Sequence, residues 1–284
     1  MIPVAFDYLR PSTVEDAVTA LADGGDEAKV LAGGQSLLPV LRLRLSAPSV
    51  LVDLGGLAQL RGARVDGDRL VVGAMTTHAE VAGSEVVGAE VPLLAVAAAG
   101  IGDRQVRHLG TLGGALAHAD PAGDLPTVAV ALDAELVVAG PGGRRSIPAS
   151  EFFRDLFTTA LGPDEVLVEV RLPRMSGWGF RYEKFQRTAQ AWATVGVAAA
   201  VRRENGSIAE ARVALTNMGP RPVRAAAVEQ ALAGADATAD ALAAAAGHAA
   251  EGASPASDLS ASAEYREHLA RVLTRRALVA AAGL

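Results

Sequence analysis

The sequence predicts an α+β protein made of two small lobes followed by a C-terminal domain. Hydrophobic residues make up 50% of the 284 positions, so the chain can bury sizeable cores. Strand-like runs and helical spacings alternate up to residue 173, and afterwards three strand-like runs precede three alanine-rich helical segments. We therefore expect lobes at residues 1–56 and 57–173 and a C-terminal domain at residues 174–284.

The first lobe is predicted to open with a helix. Ser12 and Glu15 have the S-x-x-E spacing of a capping box, and apolar residues follow at helical spacing until Gly24. Residues 29–31 and 50–54 read as strands, and the glycine stretch "AGGQS" follows the first of them. The stretch "SLLPVLRLRLSAP" fits a helix or irregular structure equally well.

The second lobe begins with a hairpin around Asp66 and Gly67, followed by a helix that starts at Thr77. The run "VPLLAVAAAG" predicts a buried helix that leads to a second glycine turn at residues 110–114. A helix and a strand over "LPTVAVALDAELVVAG", a turn at "PGG" and a closing strand "EVLVEVRLP" complete the lobe.

The C-terminal domain is predicted to be a small antiparallel sheet backed by helices. Its strands are "GWGFRYEKFQ", "WATVGVAAAVRR" and "IAEARVALTNM", and Asn205-Gly206 marks a hairpin between the last two. Three alanine-rich segments with charges at helical spacing follow. The intervening stretch "EGASPASDLSAS" predicts an exposed loop.

Composition excludes several kinds of function. The net charge of −6 and the absence of a basic block argue against nucleic-acid binding. Because the chain has no cysteine, it cannot hold disulfides, zinc–thiolate sites or iron–sulfur clusters of its own. The N-terminus lacks a signal-peptide pattern, and no long charge-free apolar run is present, so we expect a cytoplasmic protein.

The two glycine stretches, "VLAGGQS" and "GTLGGALAHADPAGDLP", predict a paired phosphate-binding site. Successive glycines let several backbone N–H groups converge on one anion. Neither stretch is a G-x-G-x-x-G fingerprint or a P-loop. His118, Asp120 and Asp124 could alternatively be metal ligands, although no further donors are apparent. Asp120 could simply open a turn, and Asp124 could cap a helix or accept hydrogen bonds from a ribose.

These stretches resemble the two flavin-binding motifs of the FAD-binding medium subunits of molybdenum hydroxylases, the carbon monoxide dehydrogenase and xanthine dehydrogenase family. The resemblance runs from "MIPVAFDYLRPSTVEDAV" to "RYEKFQRTAQAWATVGVAAAV". It implies a two-lobed FAD-binding fold of the vanillyl-alcohol-oxidase (PCMH) type with a flavoprotein C-terminal domain. It also implies an electron-transfer oxidoreductase subunit that passes electrons from iron–sulfur clusters through FAD to an external acceptor.

The resemblance further implies that FAD is bound non-covalently and that molybdopterin and [2Fe-2S] clusters reside in partner subunits. The partners would be a large molybdopterin subunit and a small iron–sulfur subunit, assembled as a dimer of heterotrimers. The residues that it assigns to the cofactor are Lys29, Ala32, Gly33, Gly34, Gln35, Ser36, Ile101, Thr111, Gly113, Gly114, Ala115, Asp124, Leu161 and Lys184.

Each assignment carries a stated role. Residues 32–36 and 111–114 would cradle the diphosphate, and Lys29 would add positive charge nearby. Ile101 would pack near the isoalloxazine, and Lys184 would reach the cofactor from the C-terminal domain. Asp124 would contribute a carboxylate and Leu161 an apolar contact. Read without the resemblance, Ile101 and Leu161 could be plain core and Lys184 an exposed strand residue. Ala115 departs from the family, which usually has Asn or Ser there.

Two other functions remain open on the sequence. A free-standing flavin-dependent oxidase or monooxygenase would need a base near the flavin, and the candidates are His78, His108, His118 and Tyr182. A covalent histidyl flavin would involve His78 or His108. A non-catalytic nucleotide-binding subunit would carry no reducible flavin at all.

Overall fold

The computed structural model describes residues 2–284. Its first part is a parallel sheet with the strand order β1-β3-β2, against which one helix packs. In chain order the elements are β1 (Asp7–Leu9), α1 (Val14–Gly24), β2 (Ala28–Leu31), α2 (Leu37–Arg42) and β3 (Val50–Asp53). The ambiguous stretch after the first glycines is thus helical over α2.

Helix α1 starts one residue later than the capping box predicts. Thr13 is the N-cap, with an extended backbone and a hydroxyl that accepts from the N–H of Asp16 at 3.0 Å. The hydroxyl of Ser12 instead donates to the Asp16 carboxylate at 3.2 Å. The predicted cap at Ser12 is therefore wrong, because the adjacent threonine has the spacing that reaches an unpaired helical N–H. The apolar side of α1 is buried as predicted.

The second part is an antiparallel sheet with the strand order β4-β5-β10-β6-β7, and a separate two-stranded ribbon. Seven helices belong to this stretch of the described chain, most of them between β5 and β6. The elements are β4 (Ala63–Asp66), β5 (Arg69–Gly73), α3 (His78–Gly83), α4 (Glu85–Glu90), α5 (Pro92–Ala99), α6 (Arg104–Leu109), α7 (Leu112–His118), α8 (Asp124–Ala131), β6 (Glu135–Gly140), β7 (Gly143–Pro148), α9 (Ala149–Phe152), β8 (Phe153–Asp155), β9 (Thr158–Thr159) and β10 (Val166–Pro173).

The third part is an antiparallel sheet with the strand order β11-β12-β13-β14, followed by three helices. Asn205 and Gly206 have φ values of +50° and +85° and close the predicted hairpin. The elements are β11 (Trp178–Phe185), β12 (Val195–Glu204), β13 (Ser207–Thr216), β14 (Val223–Arg224), α10 (Ala226–Leu232), α11 (Ala239–Ala246) and α12 (Ala263–Ala282). The loop before α12 is mostly exposed, as predicted.

Helix α8 lies between the second and third parts, and every one of its residues is buried. One face of the C-terminal sheet, with Tyr182, Ala198 and Ala214, joins the same core as α5 and α8. The opposite face packs against α10, α11 and α12. Because α8 is enclosed in this way, any polar side chain on it must find a partner inside the protein.

The α+β class and the antiparallel C-terminal sheet backed by helices are confirmed. The lobe boundaries at residues 56/57 and 173/174 stay predictions. Within residues 2–284, no helix is both long enough and apolar enough to span a bilayer.

Candidate cofactor-binding site

The first glycine segment, residues 32–36, links the end of β2 to the start of α2. Gly34 has a φ of +73°, which glycine adopts without steric cost. The N–H groups of Gly33, Gly34, Gln35 and Ser36 donate to no protein acceptor within residues 2–284. Since the segment is only half-buried, water or a ligand can satisfy these donors. Four successive unpaired N–H groups suit an anion.

The second glycine segment, residues 111–115, is the first turn of α7 rather than the open turn that the sequence predicts. Thr111 caps α7, and its hydroxyl accepts from the N–H of Gly114 at 3.1 Å. The other N–H groups after Thr111 donate to protein carbonyls: Leu112 to Thr76, Gly113 to Ala74 and Ala115 to Thr111. The expectation of bare N–H groups therefore holds for the first segment alone.

The two segments touch each other. A Cβ built on Gly33 would lie 2.1 Å from the carbonyl oxygen of Leu109 and 2.7 Å from the Cα of Gly110. A Cβ built on Gly114 would lie 3.4 Å from the Cβ of Ala32. The fold thus brings together two stretches that are about eighty positions apart in the sequence, as a shared ligand requires.

Gly113 allows α7 to pack closely against the backbone at Ala74. A Cβ at this position would lie 2.5 Å from the Cβ of Ala74 and 2.8 Å from its carbonyl oxygen. Real side chains do not approach a backbone so closely, so α7 can rest on the residue after β5 only because position 113 is glycine. The second segment forms a wall beside the unpaired donors of the first.

The remaining polar groups of the two segments complete the donor set. Ser36 precedes α2 but makes no capping hydrogen bond through its side chain. The hydroxyl of Thr111 accepts from Gly114 and keeps its own hydrogen to donate. Lys29 is exposed on β2 and forms no ion pair with a described residue. Neutral N–H groups and two hydroxyls form a donor set that fits the diphosphate of a dinucleotide.

A buried ion pair joins α8 to the C-terminal sheet. Asp124 has a side chain only 3% exposed, and its Oδ2 accepts from the ammonium of Lys184 at 2.7 Å. The hydroxyl of Tyr182 donates to Oδ1 at 2.7 Å. Gly123 is the N-cap of α8, so the alternative that Asp124 caps this helix is wrong. The side chain of Lys184 is only 11% exposed, so the alternative that Lys184 is simply an exposed strand residue is wrong.

Charge and burial set the ionisation of this cluster. Burial raises the pKa of Asp124, and the charge and hydrogen bond of Lys184 and the hydrogen bond of Tyr182 oppose that rise. Burial and the Asp124 charge raise the pKa of Tyr182 well above its ordinary value. The phenol therefore stays protonated and acts as a donor, which excludes Tyr182 as the general base of a free-standing oxidase.

The cluster continues through hydroxyl groups. Thr216 lies 3.0 Å from the hydroxyl of Tyr182 and 2.7 Å from the hydroxyl of Thr127, which follows Asp124 by one turn of α8. All three threonine and tyrosine hydroxyls are buried. Sequence reasoning missed this cluster, although Tyr182 and Lys184 are two apart on one strand and therefore share a face.

The apolar residues assigned by the resemblance pack against the core that also contains Tyr182. Lys184 also donates to the carbonyl of Gly100 at 3.3 Å, next to Ile101 in the chain. Ile101 and Leu161 are both half-buried and pack against the same core. Ala115 is also half-buried and lies in the first turn of α7. Contacts of these residues with a cofactor remain proposals.

His78, at the start of α3, is buried behind the second segment. A Cβ on Gly110 would lie 2.8 Å from its Cδ2, and its Nδ1 is buried with no hydrogen-bond partner in the described part of the chain. Burial, together with the nearby Arg107 charge, lowers the pKa of His78 to about 4. The imidazole is thus neutral at physiological pH.

The alternative metal site finds no support in the geometry. Across residues 2–284 there is no cluster of three or more His, Asp or Glu groups that could hold a metal ion. Asp120 instead accepts from the N–H of Ala122 at 2.9 Å, which is the turn that the sequence suggests for it. His118 Nε2 lies 4.0 Å from Asp120, and its ring is 5.1 Å from that of Phe157.

Comparison with known proteins identifies the family to which the chain is similar. Residues 4–175 match the family described as "FAD binding domain in molybdopterin dehydrogenase", and residues 180–281 match "CO dehydrogenase flavoprotein C-terminal domain". The carbon monoxide dehydrogenase medium chain of Hydrogenophaga pseudoflava is 42% identical over 99% of this chain and 98% of its own length.

Further relatives cover the chain to the same extent. The alpha subunit of the 6-hydroxypseudooxynicotine dehydrogenase complex of Paenarthrobacter nicotinovorans is 38% identical over 99% of this chain and 96% of its own. A solved structure of Hydrogenophaga pseudoflava carbon monoxide dehydrogenase, lacking the Mo-pyranopterin moiety, superposes with a TM-score of 0.97 at 44% identity, covering 99% and 98% of the two chains. The predicted FAD-binding fold with its C-terminal flavoprotein domain is confirmed.

Proposed function

The chain belongs to the FAD-binding medium subunits of the molybdenum hydroxylase family, and from this premise we propose that it is the electron-transfer subunit of a multi-subunit molybdenum-dependent dehydrogenase. Bound FAD would supply the redox chemistry, the transfer of electrons from iron–sulfur clusters in a partner to an external acceptor. The observation that carries the proposal is the row of four unpaired N–H groups at residues 33–36, closed on one side by the second glycine segment.

The first segment would hold the diphosphate. Its unpaired N–H groups and the Ser36 hydroxyl supply short hydrogen bonds to phosphate oxygens without a metal ion. Thr111 would add its hydroxyl hydrogen from the facing segment. Lys29 would offset part of the diphosphate charge on a protein whose own net charge is −6.

Lys184 would act at the other end of the cofactor. Its ammonium donates to Asp124 and to the carbonyl of Gly100. Because Ile101 follows Gly100 in the chain, the ammonium and the proposed apolar contact of Ile101 would lie close together. The chain has only two lysines, Lys29 and Lys184, among 26 basic residues. A compact ammonium fits the space beside Asp124, whereas the larger planar guanidinium of arginine has different donor directions.

The site also argues for non-covalent binding. Of the two histidines that could form a flavin bond, His78 is buried behind the second segment, and its nitrogen Nδ1 is fully enclosed. His108 Nδ1 lies 2.6 Å from the carbonyl of Arg104, within its own helix. Acid precipitation of the loaded protein should therefore release all of the flavin into solution.

Other redox centres must lie in partner subunits, because the chain has no cysteine to ligate an iron–sulfur cluster. The two relatives described above are named for carbon monoxide and for 6-hydroxypseudooxynicotine, yet each matches nearly the full length of this chain. Medium subunits of one fold thus serve different substrates. We infer that the substrate is selected in the molybdenum-containing partner.

An exposed apolar surface supports such partners. Residues 2–9 run alongside residues 44–52, held by hydrogen bonds from Arg44 to Ile2 and from Asp7 to Ser49. The surface consists of Ile2, Val4, Phe6, Tyr8, Leu43 and Leu45, all of them at least 37% exposed. Monomeric proteins seldom expose so many large apolar side chains together. Arg42 and Arg44 border it, so we expect a partner subunit with a complementary acidic rim, within a dimer of heterotrimers.

The test is the visible absorption spectrum of the full-length chain after incubation with FAD and desalting, before and after dithionite. We expect a retained flavin band that dithionite bleaches, and co-purification of a large and a small subunit from the producing cells. Gly34→Ala, at a φ of +73°, should retain less flavin, and Gly67→Ala is its matched control, because Gly67 also has a positive φ of +59° but no atom within 4 Å of its Cβ position.

The outcomes separate the candidate functions. Turnover of a small molecule by the chain alone would favour a free-standing flavin oxidase. A folded protein that binds no FAD, either alone or with its partner subunits, would contradict the proposal and favour a non-catalytic subunit.

A further inference from the structure

We propose that Tyr182 is a positioning residue of the cofactor site, which acts through Asp124 to fix the place of the Lys184 ammonium. Tyr182 itself is buried in the core and would not touch the cofactor. The inference rests on the proposed function, because the positioned ammonium matters for FAD only if the chain binds FAD.

The carboxylate of Asp124 is held at both oxygens by one strand. Tyr182 donates to Oδ1 and Lys184 to Oδ2, each at 2.7 Å, and the two donors are two residues apart on the same face of β11. With both oxygens engaged, rotation of the carboxylate would break two hydrogen bonds to a charged group. Lys184 is in turn fixed between Asp124 and the carbonyl of Gly100. Loss of the phenol would leave the ion pair with a single anchor.

Strand β12, which lies between β11 and β13, contains a glycine that makes room for this arrangement. Gly196 on β12 lies between Lys184 on β11 and Thr216 on β13. A Cβ at Gly196 would lie 2.7 Å from the hydroxyl of Tyr182 and 2.8 Å from that of Thr216. Glycine weakens a strand interior, so its presence here marks a close approach, in this case of two hydroxyls across the strand.

Each hydroxyl of the cluster has an acceptor of its own. An ionised Asp124 has no proton to give, so Tyr182 must donate to it. The Thr216 hydroxyl, 3.0 Å from the phenol oxygen, donates to Thr127 at 2.7 Å, and the Thr127 hydroxyl donates to the carbonyl of Gly123 at 3.5 Å. Each of these hydroxyl hydrogens has its own acceptor, and the acceptor of the phenol is the carboxylate.

Asp124 depends on its donors to stay ionised. The titratable groups that face it are Lys184 and Tyr182, both on β11; α8 and β13 add only the hydroxyls of Thr127 and Thr216, and the segment after α5 adds a carbonyl. Burial raises the pKa of Asp124, and both β11 donors oppose it. Removal of the phenol donor should raise that pKa further.

The test is the substitution Tyr182→Phe, with FAD affinity measured by fluorescence titration between pH 6 and pH 8.5. We expect binding about tenfold weaker at pH 8, the size of one hydrogen bond to a charged group. The loss of affinity should grow as the pH is lowered, because the raised pKa of Asp124 favours its protonated form, which releases Lys184. A merely structural role would shift the whole profile without changing its slope.

Tyr265→Phe is the matched control, since Tyr265 is 44% exposed on α12. It should leave both affinity and slope unchanged. Thr216→Val is the second variant, and it keeps the bond between Tyr182 and Asp124 while removing the next hydroxyl. It should give a smaller change in the same direction, and it serves if Tyr182→Phe does not fold. A folded Tyr182→Phe protein with wild-type affinity at every pH overturns the proposal.

A measurement without FAD separates this inference from the proposed function. Because the folded pKa of Asp124 lies above its ordinary value, the folded state loses stability as pH rises through that pKa. A further rise in Tyr182→Phe extends the loss to higher pH. Urea unfolding should therefore show a larger deficit of the variant at pH 8 than at about pH 3.5, below the ordinary Asp pKa of 3.8, even if no FAD binds. An equal deficit at both pH values contradicts the role of Tyr182.

Discussion

The two glycine segments look alike in sequence and differ in what their glycines do. In residues 32–36, Gly34 turns the chain through a positive φ and four N–H groups are left without an acceptor within residues 2–284. In the second segment, the N–H groups of residues 112–115 are paired inside the protein, and Gly113 leaves room for the backbone at Ala74. A pair of glycines can thus expose a backbone or admit a neighbouring one.

The largest expected effect is at Gly113. The substitution Gly113→Ala should lower the free energy of unfolding by about 3 kcal/mol, because its Cβ would lie 2.5 Å from that of Ala74. The measurement is chemical denaturation of the variant and of Gly142→Ala, whose Cβ would have no atom within 4 Å. Normal stability of Gly113→Ala would remove the distinction between the segments.

Acid should destabilise the protein through His78, which is buried behind the second segment. The pKa of this buried imidazole is lowered to about 4, so stability is lost as pH falls from about 6.5 towards 4. At pH 5 the loss should be about 2 kcal/mol relative to pH 8. Urea unfolding at both pH values should show this loss in the wild type and in a His268→Gln control at an exposed site, but not in His78→Gln. The same loss in His78→Gln would exclude His78 as its source.

The third substitution, Gly34→Ala, should change both the stability of the protein and its affinity for FAD. Gly34→Ala places a side chain at a φ of +73°, with its Cβ 2.9 Å from Leu38, and should cost about 1–2 kcal/mol of stability. FAD affinity should fall at least tenfold, because the N–H groups no longer converge. Gly67→Ala carries the same kind of strain away from the segment and should leave affinity intact. Equal affinities of the two variants would contradict a binding role for residues 32–36.

The smallest effects are expected at Ser36, where FAD binding should change, and at Thr111, where stability should change. Ser36→Ala should weaken FAD binding a few-fold and leave stability unchanged, since the Ser36 side chain makes no cap. Thr111→Val should cost about 1 kcal/mol of stability, because it removes the cap on Gly114. Fluorescence titration and thermal unfolding of both variants check the pair. A stability loss in Ser36→Ala would show that this hydroxyl is structural.

The sequence predicts those parts of the fold that depend on local chemistry. The helix start at Thr77 has a full capping box with Glu80, and the hairpin at Asn205 and Gly206 has the positive φ values that such turns require. The capping box predicts the first cap at Ser12, one residue before the cap at Thr13, because both residues carry a hydroxyl and only the backbone conformation distinguishes them.

The candidate site was predictable in part. Both glycine stretches could be read as a pair, but the acceptors that occupy the second one, Ala74 and Thr76, come from a distant part of the chain. Likewise, Tyr182 and Asp124 are 58 positions apart, and nothing in either local sequence indicates the bond between them. Pairing of backbone donors and burial of carboxylates depend on tertiary packing, which local patterns do not encode.

Amide hydrogen exchange, with and without saturating FAD, tests the difference between the two segments most directly. The account predicts fast exchange of the N–H groups of residues 33–36 in the free protein and strong protection when FAD is bound. The N–H groups of residues 112–115 should be protected in both states, because protein acceptors already hold them. Fast exchange at residues 33–36 in the FAD-bound protein, with new protection only at residues 112–115, would contradict the account.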